Sequence, residues 1–578
     1  MTRVFCSQCN AEAGEGDRFC PECGAAVDAA APAEPAAGAS TRGARRWLGR
    51  RGLFVAIPVA AVLAGAALAA SLVLGDVPED HAIELVPADA AFYATAHLDP
   101  SLGQKRAAKS VLDSARQAGA EQATEDSLED AIRRLVDRST PVDYARDVQP
   151  QLGDQIAVYT RGQDPTLIVA TKDSQASLET MRRMLRSEYS SDYYRVVQAT
   201  HRGQRYEHVV YDDGDGAPSW GPSAFTIVDG FVVIGSEDDV KASIDARDGD
   251  SLESSERFAA ARSRLSDDVL AVAYYDADPM LDTVRASEGA PSEEIVALEA
   301  LADSGPVVAT VAAHDDRLEL DMAGLAFSGD AQPLQNPSAL LETLPADAIG
   351  AISFGDVGGP LRKALEDGSG SVDDLREAVS ELANLDVESD VASWLGQLGA
   401  YVAGDDTDRV QGALVAETRS AADSDRALSQ IESYYTSDSD YDSEYSYGTS
   451  VYASEDGRGF DVADDGDVLR VRGDEDRVIA GTGAADFTPD PVLDADGGFG
   501  ESDAYRRAAR SLGGAYEPFL VIDVPPMQRL LEQAADAEYD HDYTTDVRPW
   551  LSSVLTLAGG VRNDGDGVRV RIFAELAR

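Results

Sequence analysis

Four cysteines near the start of the chain have a spacing suited to metal binding. Cys6, Cys9, Cys20 and Cys23 read C-x2-C-x10-C-x2-C. A two-residue gap lets both thiolates of a pair point inward from one tight turn, and two such turns complete the tetrahedral S4 site that zinc prefers. The segment is too short to fold by burial alone, so the metal must stabilise it. We predict a zinc ribbon with one structural zinc in residues 1–28.

Disulfides or redox-active CxxC pairs are the alternative for these cysteines, but no thioredoxin-like βαβ pattern surrounds them. The chain has only these four cysteines, so the rest of it has neither disulfides nor a cysteine nucleophile. Acidic residues outnumber Arg3 and Arg18 within residues 1–28, which argues against nucleic acid as a partner. A structural ribbon or a docking site for a protein fits better.

Histidine and aspartate supply the other candidate sites. The chain has six histidines but no HExxH, GxSxG or phosphate-binding loop. His97 and His208 occupy predicted strands, where we expect structural roles. A Ser-His-Asp triad stays open, although no motif supports one. We therefore predict no catalytic residue.

Asp-rich runs at 212–216, 494–498 and 563–567 invite comparison with calcium loops. The second run has Tyr505 where a calcium loop needs Glu, so we expect Asp/Gly turns between strands, with weak cation binding as the alternative. The Tyr-rich segment 434–447 has a counterpart at 188–194. Both predict long loops, and contact with a glycan or protein is the functional alternative.

A charge-free segment at 53–75 predicts a transmembrane helix, because its length of about 34 Å exceeds a hydrocarbon core of roughly 30 Å. Residues 29–52 predict a flexible linker ending in a basic cluster around Trp47. Arginines precede the segment and no Lys or Arg follows it before Lys105, which predicts a cytoplasmic N-terminus and an extracytoplasmic C-terminal domain. A buried soluble helix and a cleaved signal peptide are the alternatives.

The net charge of −55 belongs almost entirely to the part after residue 75. Such a charge repels nucleic acid and anionic lipid headgroups. A salt-adapted or GC-rich proteome explains it, and a surface that binds cations or basic partners is the functional alternative.

Landmarks recur along this acidic part at a near-constant spacing. The sequence LVPADA at 85–90 matches LPADA at 344–348. The pair Leu152-Gly153 matches Leu395-Gly396, and Gly235 matches Gly481. The pattern predicts two copies of one α+β domain with antiparallel sheets, at 76–330 and 331–578. Turn sequences shared without duplication are the alternative. Paired copies would form an interface groove, whereas one continuous sheet would leave no separate lobes.

Local patterns predict several elements within the copies. Apolar periodicity predicts helices over 103–118 and 176–187. Turn residues predict hairpins reversing at Asp229-Gly230 and near residues 563–565.

Four sequence stretches carry a family resemblance: VPADAAFYATAHLDPS, QLGDQIAVYTRG, GFVVIGSEDDVKASID and SERFAAARSRL. The chain resembles, over most of 85–578, an uncharacterised bacterial envelope family, domain of unknown function 3352. The resemblance implies an exported α+β domain, often behind one membrane anchor, with no known activity. The first segment resembles the short zinc ribbons of prokaryotic membrane proteins.

Two classes of function follow. The first is a non-enzymatic membrane-anchored protein that binds an envelope protein or a glycan outside and a protein partner through its ribbon. The second is an exported hydrolase with an unrecognised active site. A cleft holding paired carboxylates, one of them with a raised pKa, would favour the hydrolase, and a smooth apolar groove would favour the binding protein.

Overall fold

The fold comes from a computed structural model. It describes strands β1 (Val4–Phe5) and β2 (Glu12–Ala13) and residues 80–577 with gaps. The gaps are residues 99–100, 118–142, 163, 189–193, 212–222, 287–301, 303–304, 326–338, 360–361, 363–391, 407–408, 438–449, 456, 465–466, 484–488, 490–497, 535–547 and 565–566. The chain divides into two compact units, Met1–Ile57 and Pro58–Arg578.

In the first unit β1 and β2 form a short antiparallel hairpin, in which Val4 pairs with Ala13 and Phe5 with Glu12.

A single 20-stranded antiparallel sheet forms the frame of the second unit. The strands of its first half are β3 (Phe92–His97), β4 (Leu152–Thr160), β5 (Pro165–Thr171), β6 (Tyr194–His201), β7 (Gln204–Tyr211), β8 (Ala224–Val228), β9 (Phe231–Gly235), β10 (Ala271–Tyr275), β11 (Val307–His314) and β12 (Arg317–Leu325). Those of its second half are β13 (Ala348–Phe354), β14 (Leu395–Ala403), β15 (Gln411–Thr418), β16 (Ser450–Ala453), β17 (Gly459–Asp464), β18 (Asp467–Gly473), β19 (Arg477–Thr482), β20 (Glu517–Asp523), β21 (Val554–Asn563) and β22 (Val568–Leu576).

The two halves of the sheet follow the same order of strand pairing. The first half runs β6-β7-β8-β9-β5-β4-β3-β10-β11-β12. The second half runs β16-β17-β18-β19-β15-β14-β13-β20-β21-β22. The halves join where β12 pairs with β22, with Leu320 opposite Ile572. The order of the sheet is therefore a palindrome about that pair, which we call the seam.

Short helices lie on the sheet: α1 (Leu102–Gln117), α2 (Ser174–Glu188), α3 (Glu237–Arg247), α4 (Glu256–Arg262), α5 (Ala277–Ala286), α6 (Leu340–Thr343), α7 (Ala421–Ser437), α8 (Asp503–Leu512), α9 (Val524–Ala534) and α10 (Arg548–Leu551). Serine side chains at 236, 255 and 502 cap α3, α4 and α8 by accepting hydrogen bonds from first-turn amides. The caps fix where these helices begin on the sheet.

Each half has its own principal core on one face of the sheet. In the first half Tyr93, Tyr159 and Ile168 pack under α3 and α4. In the second half Val415, Val521 and Phe573 pack under α8. On the opposite face α2 packs through Leu185 onto Phe225, and α7 packs through Ala427 near Phe460. This opposite face contains the cavity described below.

The structure corrects the predicted fold class. The sequence predicted an α+β architecture with one transmembrane helix, whereas the described residues form one 20-stranded antiparallel sheet with few helices. Strand pairing across the seam joins the two predicted copies, 76–330 and 331–578, in one sheet, and their bounds stay a prediction. The ladder between β12 and β22 corresponds to the continuous sheet that the sequence left open as the alternative to two lobes. The shared pairing order is an observation, and duplication as its origin stays a prediction.

The structure also corrects the predicted single-pass localisation. Within the described ranges, no helix combines the length and the apolar character that a membrane crossing requires. The predicted span, residues 53–75, and the linker 29–52 lie outside the described residues. The structure therefore gives the predicted anchor no support, and neither the anchor nor the localisation based on it is retained.

Candidate functional site

The hairpin of the first unit brackets the first cysteine pair. Cys6 and Cys9 lie in the chain between β1, which ends at Phe5, and β2, which begins at Glu12. Four thiolates in two CxxC pairs are a donor set that suits a tetrahedral zinc. The four cysteines lie outside the described residues. In the part of the chain that is described, no group of three His, Cys, Asp or Glu side chains is placed to hold a metal.

A buried polar cluster surrounds Asp80 where the described part of the large unit begins. The Tyr93 hydroxyl lies 2.8 Å from both Asp80 carboxylate oxygens, and the Gln155 amide also donates to Oδ1. Gln155 donates a further bond to the Thr95 hydroxyl at 2.9 Å. Asp80 accepts the Ile83 amide at 3.3 Å, so the cluster ties the helical turn at 82–85 to β3 and β4.

Burial controls the ionisation of this cluster. It raises the pKa of Asp80 and outweighs the hydrogen bond from Tyr93, which acts in the opposite direction. It also raises the pKa of Tyr93 and lowers that of His97, whose residue is 5% exposed. Because Tyr93 and His97 are closed off from solvent, this cluster has the features of a structural element rather than of a site that admits substrate.

A second cluster, on β7 and α3, is more open. The Tyr206 hydroxyl donates to Glu237 Oε1 at 2.8 Å, and Lys241 Nζ lies 2.7 Å from the same oxygen. His208 Nδ1 lies 2.9 Å from Glu237 Oε2, at an angle that makes no hydrogen bond. Burial opposes ionisation of Glu237, but the Lys241 and Tyr206 hydrogen bonds outweigh it and lower its pKa. The arrangement stabilises a carboxylate.

The seam carries a third cluster, which joins the two halves. Arg571 Nε and Nη2 donate to the two Asp321 oxygens at 2.8 and 2.7 Å, and Nη2 lies 3.1 Å from Glu319. Its guanidinium carbon lies 4.6 Å from the centre of the Tyr516 ring. Burial opposes the charge of Arg571, yet its hydrogen bonds to Asp321 raise its pKa. The carboxylates come from β12 and the guanidinium from β22, so the seam is charge-complementary.

A cavity of about 600 Å³ opens between α7 and one corner of the second half-sheet. Helix α7 contributes Asp425, Leu428, Ser429 and Glu432, spaced so that they share one helix face. The floor of the cavity includes Phe460, which is 2% exposed.

The rim of this cavity is predominantly acidic. The tight β18–β19 turn contributes Asp474 and Glu475, which join Asp425 and Glu432, while Arg458 is the one cationic residue among those that the structure describes in the lining. Arg458 Nη2 lies 3.7 Å from Asp474 Oδ2. The described residues of the lining thus combine several carboxylates with an apolar floor and include no histidine, cysteine or lysine. Such a lining can bind a ligand, and the Ser429 hydroxyl within it donates to the Asp425 backbone oxygen at 2.8 Å rather than to a base.

The corresponding place in the first half is filled. The halves can be matched through a hydrogen bond that both contain, Thr171 to Ser177 and Thr418 to Ser424, each 2.7 Å long. This match equates Leu178, Arg182 and Leu185 of α2 with Asp425, Ser429 and Glu432 of α7. In the first half the two leucines pack on the sheet and Arg182 donates to Glu207 at 2.7 Å. Carboxylates and a serine therefore stand where the first half has leucines and an arginine.

Two family models match the chain. The family described as "Protein of unknown function (DUF3352)" matches residues 52–444, which is more than half of the chain. The chain belongs to this DUF3352 family. A model described as "zinc-ribbon domain" matches residues 5–27 of the same DUF3352 protein, the segment that contains all four cysteines.

Solved structures similar to this DUF3352 protein include those titled crystal forms IV, I and III of TP0453. They are 10%, 9% and 11% identical and cover 42%, 44% and 43% of this chain, and 79%, 81% and 80% of their own. Each has a TM-score of 0.21, which is too low for any argument to rest on the likeness. No curated protein matches the chain.

The other residues singled out in the sequence do not come together in one site of the DUF3352 protein. His97 and His208 lie in strands β3 and β7, in separate clusters. The Asp-rich run 212–216 and most of 494–498 lie outside the described residues, as does the Tyr-rich stretch beyond Ser437. Of the run 563–567, Asn563 ends β21, and Asp564 pairs with Arg562.

The cavity residues were not identified from the sequence. Asp425 and Glu432 have the composition of an ordinary solvated helix face. Only a comparison of the two halves singles out these acidic residues, because the matched positions of α2 are Leu178 and Leu185. An apolar helix face that becomes acidic at matched positions indicates that the sheet beneath it is no longer covered in the same way.

Proposed function

We propose that this protein is a non-enzymatic binding or scaffolding protein. Its cavity between α7 and the corner formed by β17, β18 and β19 is the ligand site of the large unit. The zinc ribbon is a separate docking module for a protein partner, with Cys6, Cys9, Cys20 and Cys23 as the zinc ligands. The observation that carries the proposal is the lining of the cavity, which offers carboxylates and apolar atoms, while the Ser429 hydroxyl donates to the backbone oxygen of Asp425 rather than to a base.

The clusters of ionisable groups support this proposal. The Asp80 cluster excludes solvent through Tyr93 and His97, which are 0% and 5% exposed. The seam carboxylates are committed to Arg571. The cavity, in contrast, is lined by acidic side chains, and two of them, Asp425 and Glu432, are exposed at positions where the first half packs leucines on the sheet. The second half lacks the stability that leucine packing gives the first half at these positions. A local loss of packing of this kind is typical of functional sites, which supports a ligand site here.

A thermal-shift panel tests the proposal. The full chain is screened against separate sets of small anions, neutral sugars, zwitterionic amino acids and organic cations. We expect at least one set to raise the melting temperature of the wild type but not of Ser429→Phe, whose ring fills the cavity. Ala422→Phe is the matched control, because Ala422 is exposed on α7 outside the lining. If every set shifts wild type and Ser429→Phe equally, the cavity is not a ligand site.

A hydrolase acting at the β7–α3 cluster is the second candidate, favoured by the 2.9 Å approach of His208 to Glu237. The test measures turnover of chromogenic esters, phosphomonoesters, glycosides and peptides by the wild type and by Glu237→Gln. The binding proposal expects the same background rate from both. Turnover by the wild type that Glu237→Gln abolishes, with its melting temperature preserved, would establish the hydrolase instead.

A further inference from the structure

The 20-stranded sheet ends at two edge strands, β6 in the first half and β16 in the second. In the described part of the chain β6 pairs only with β7, and β16 pairs only with β17. An edge strand presents a row of unpaired backbone N–H and C=O groups, which proteins usually protect by a short strand, a bulge, proline or lysine. Strand β16 has only four residues, but β6 has eight in one unbroken register and contains neither proline nor lysine. The β6 edge is therefore open to a further strand.

The turn between β6 and β7 determines which backbone groups reach the open side. The two-residue turn 202–203 has φ of 46° and 84°, so the flanking His201 and Gln204 form a hydrogen-bonded pair. Such pairs alternate along an antiparallel ladder, so every second residue of β6 directs its N–H and C=O away from β7. On the far side of β7 the Val209 amide donates to the Ser223 backbone oxygen at 2.8 Å, as this alternation requires. The outward-directed residues of β6 include Val196, Gln198 and Thr200.

Two exposed arginines lie along this edge. Arg195 lies on β6 itself, and Arg205 lies on β7 directly opposite Thr200. Because side chains alternate along a strand, the two arginines are on opposite faces of the sheet. Within the described ranges neither arginine takes part in an ion pair, and the one acidic residue of the hairpin, Glu207, already accepts a hydrogen bond from Arg182 at 2.7 Å. In a chain with 104 acidic residues against 49 Lys and Arg, this edge is a place where a carboxylate from outside finds a guanidinium.

Both faces of the sheet are partly apolar next to this edge. Val196 packs partly against the cluster under α2, and Ala199 packs partly against the principal core of the first half. A strand added beside β6 would extend both clusters while its backbone pairs with the outward groups of β6. An extended segment that combines β-branched residues with carboxylates fits this edge.

We propose that the β6 edge docks an extended acidic segment of a partner protein, which joins the sheet as an added strand. The outward N–H and C=O groups of Val196, Gln198 and Thr200 supply the backbone pairing, and Arg195 and Arg205 select carboxylates on the segment. Salt at 0.1 M screens charges beyond about 10 Å, so the arginines beside the strand outweigh the distant net charge.

A second copy of the chain is a poorer occupant. Pairing of β6 with itself would bring two arginine-bearing edges together, in two molecules that each carry a net charge of −55. The docking edge lies in the first half of the sheet and is independent of the α7 cavity, so the two sites are tested separately.

Fluorescence anisotropy at 0.1 M salt tests the proposal, with the full chain titrated into a labelled octapeptide of alternating valine and glutamate. The wild type should give saturable binding. The same octapeptide with every backbone amide N-methylated keeps its carboxylates but loses its donors. An octapeptide of alternating valine and lysine keeps its donors but reverses its charge. We expect neither to bind at protein concentrations that saturate the glutamate octapeptide.

Protein variants separate the backbone contribution from the charge. Thr200→Pro removes one outward N–H at an exposed edge position, where proline is tolerated, and should weaken binding at least about tenfold. Thr200→Val keeps that N–H and should bind as the wild type does. Arg195→Gln/Arg205→Gln should weaken binding about fivefold, since each exposed ion pair is worth a factor of roughly 1.5 to 5. Arg106→Gln/Arg506→Gln removes two exposed arginines outside the edge and should leave binding unchanged.

Three results would overturn the proposal: no saturable binding of the glutamate octapeptide, equal binding of either modified octapeptide, or full binding by Thr200→Pro. The N-methylated octapeptide keeps the test decisive even if Thr200→Pro fails to fold. In sedimentation of the full chain, a dimer that Thr200→Pro dissociates and Thr200→Val retains would overturn the choice of partner and assign the edge to a second copy. Ser429→Phe should bind the octapeptide as the wild type does, so failure at this edge and failure of the cavity are distinguishable.

Discussion

Replacing Arg571 by Met should weaken the pairing between the two halves of the sheet, so that the halves no longer unfold together. The substitution keeps most of the side-chain volume but removes the guanidinium from Asp321 and Glu319, whose side chains are both 9% exposed. Breaking a buried ion pair by removing one partner costs about 3–5 kcal/mol, because the other charge stays buried without compensation. Arg569 remains 3.4 Å from Asp321 and offsets part of this, so we expect about 3 kcal/mol.

A loss of that size is large against a total stability of about 5–15 kcal/mol, and it should be measurable by urea unfolding of the full chain. Arg247→Met is the matched control, since its pair with Asp248 has side chains 29% and 48% exposed and should cost no more than about 1 kcal/mol. Adding Asp321→Leu to Arg571→Met removes the stranded carboxylate and should recover about 1–2 kcal/mol.

The same experiment reports on cooperativity, because a weakened seam allows one half to unfold before the other. We expect a single transition for the wild type and two for Arg571→Met. A loss for Arg571→Met no larger than that for Arg247→Met, or a double variant whose losses simply add, would refute the reasoning that this pair holds the halves together.

Three further predictions follow. Full-length protein should contain one zinc per chain, and Cys6→Ser/Cys9→Ser should abolish it; metal analysis showing equal zinc in both would contradict the ribbon. Because burial raises the folded-state pKa of Asp80 above its unfolded value, the ionised carboxylate is penalised at neutral pH and the penalty disappears as pH falls through the folded pKa. The free energy of unfolding of wild type relative to Asp80→Asn should therefore rise as pH is lowered from 7 towards 4; a pH-independent difference would mean that Asp80 does not titrate in this range. With a net charge of −55, the melting temperature should rise with added salt as self-repulsion is screened over a Debye length of about 10 Å at 0.1 M; a melting temperature independent of salt would indicate charges already paired or widely spaced.

Local features of the fold could be predicted from the sequence. The hairpin reversing at Asp229-Gly230 forms there because both residues adopt positive φ, 48° and 84°, as a two-residue turn between β8 and β9 requires. The helix predicted over 103–118 spans Leu102–Gln117, and the one over 176–187 spans Ser174–Glu188. Short-range periodicity and turn chemistry determine these elements, so a single sequence reveals them.

Long-range features could not be predicted in this way. The recurring landmarks indicated two similar halves, but not that β12 would pair with β22 and merge them, because alternation along a strand does not specify its neighbour. The Asp80 cluster was invisible for the same reason: its partners Tyr93 and Gln155 are joined by the fold and not by spacing in the chain. The cavity escaped notice because its acidic residues resemble any solvated helix face.

The pairing of β12 with β22 has a consequence for synthesis. The residues that meet across the seam are about 250 positions apart, as Asp321 and Arg571 show. While the chain emerges from the ribosome, β12 is therefore an unpaired strand edge during the whole interval in which the second half is made. Glu319 and Asp321 place charge along that edge, which discourages pairing with another nascent chain until the arginines of β22 arrive. The charged residues that join the two halves in the folded protein thus also limit aggregation of the first half before the second half has been synthesised.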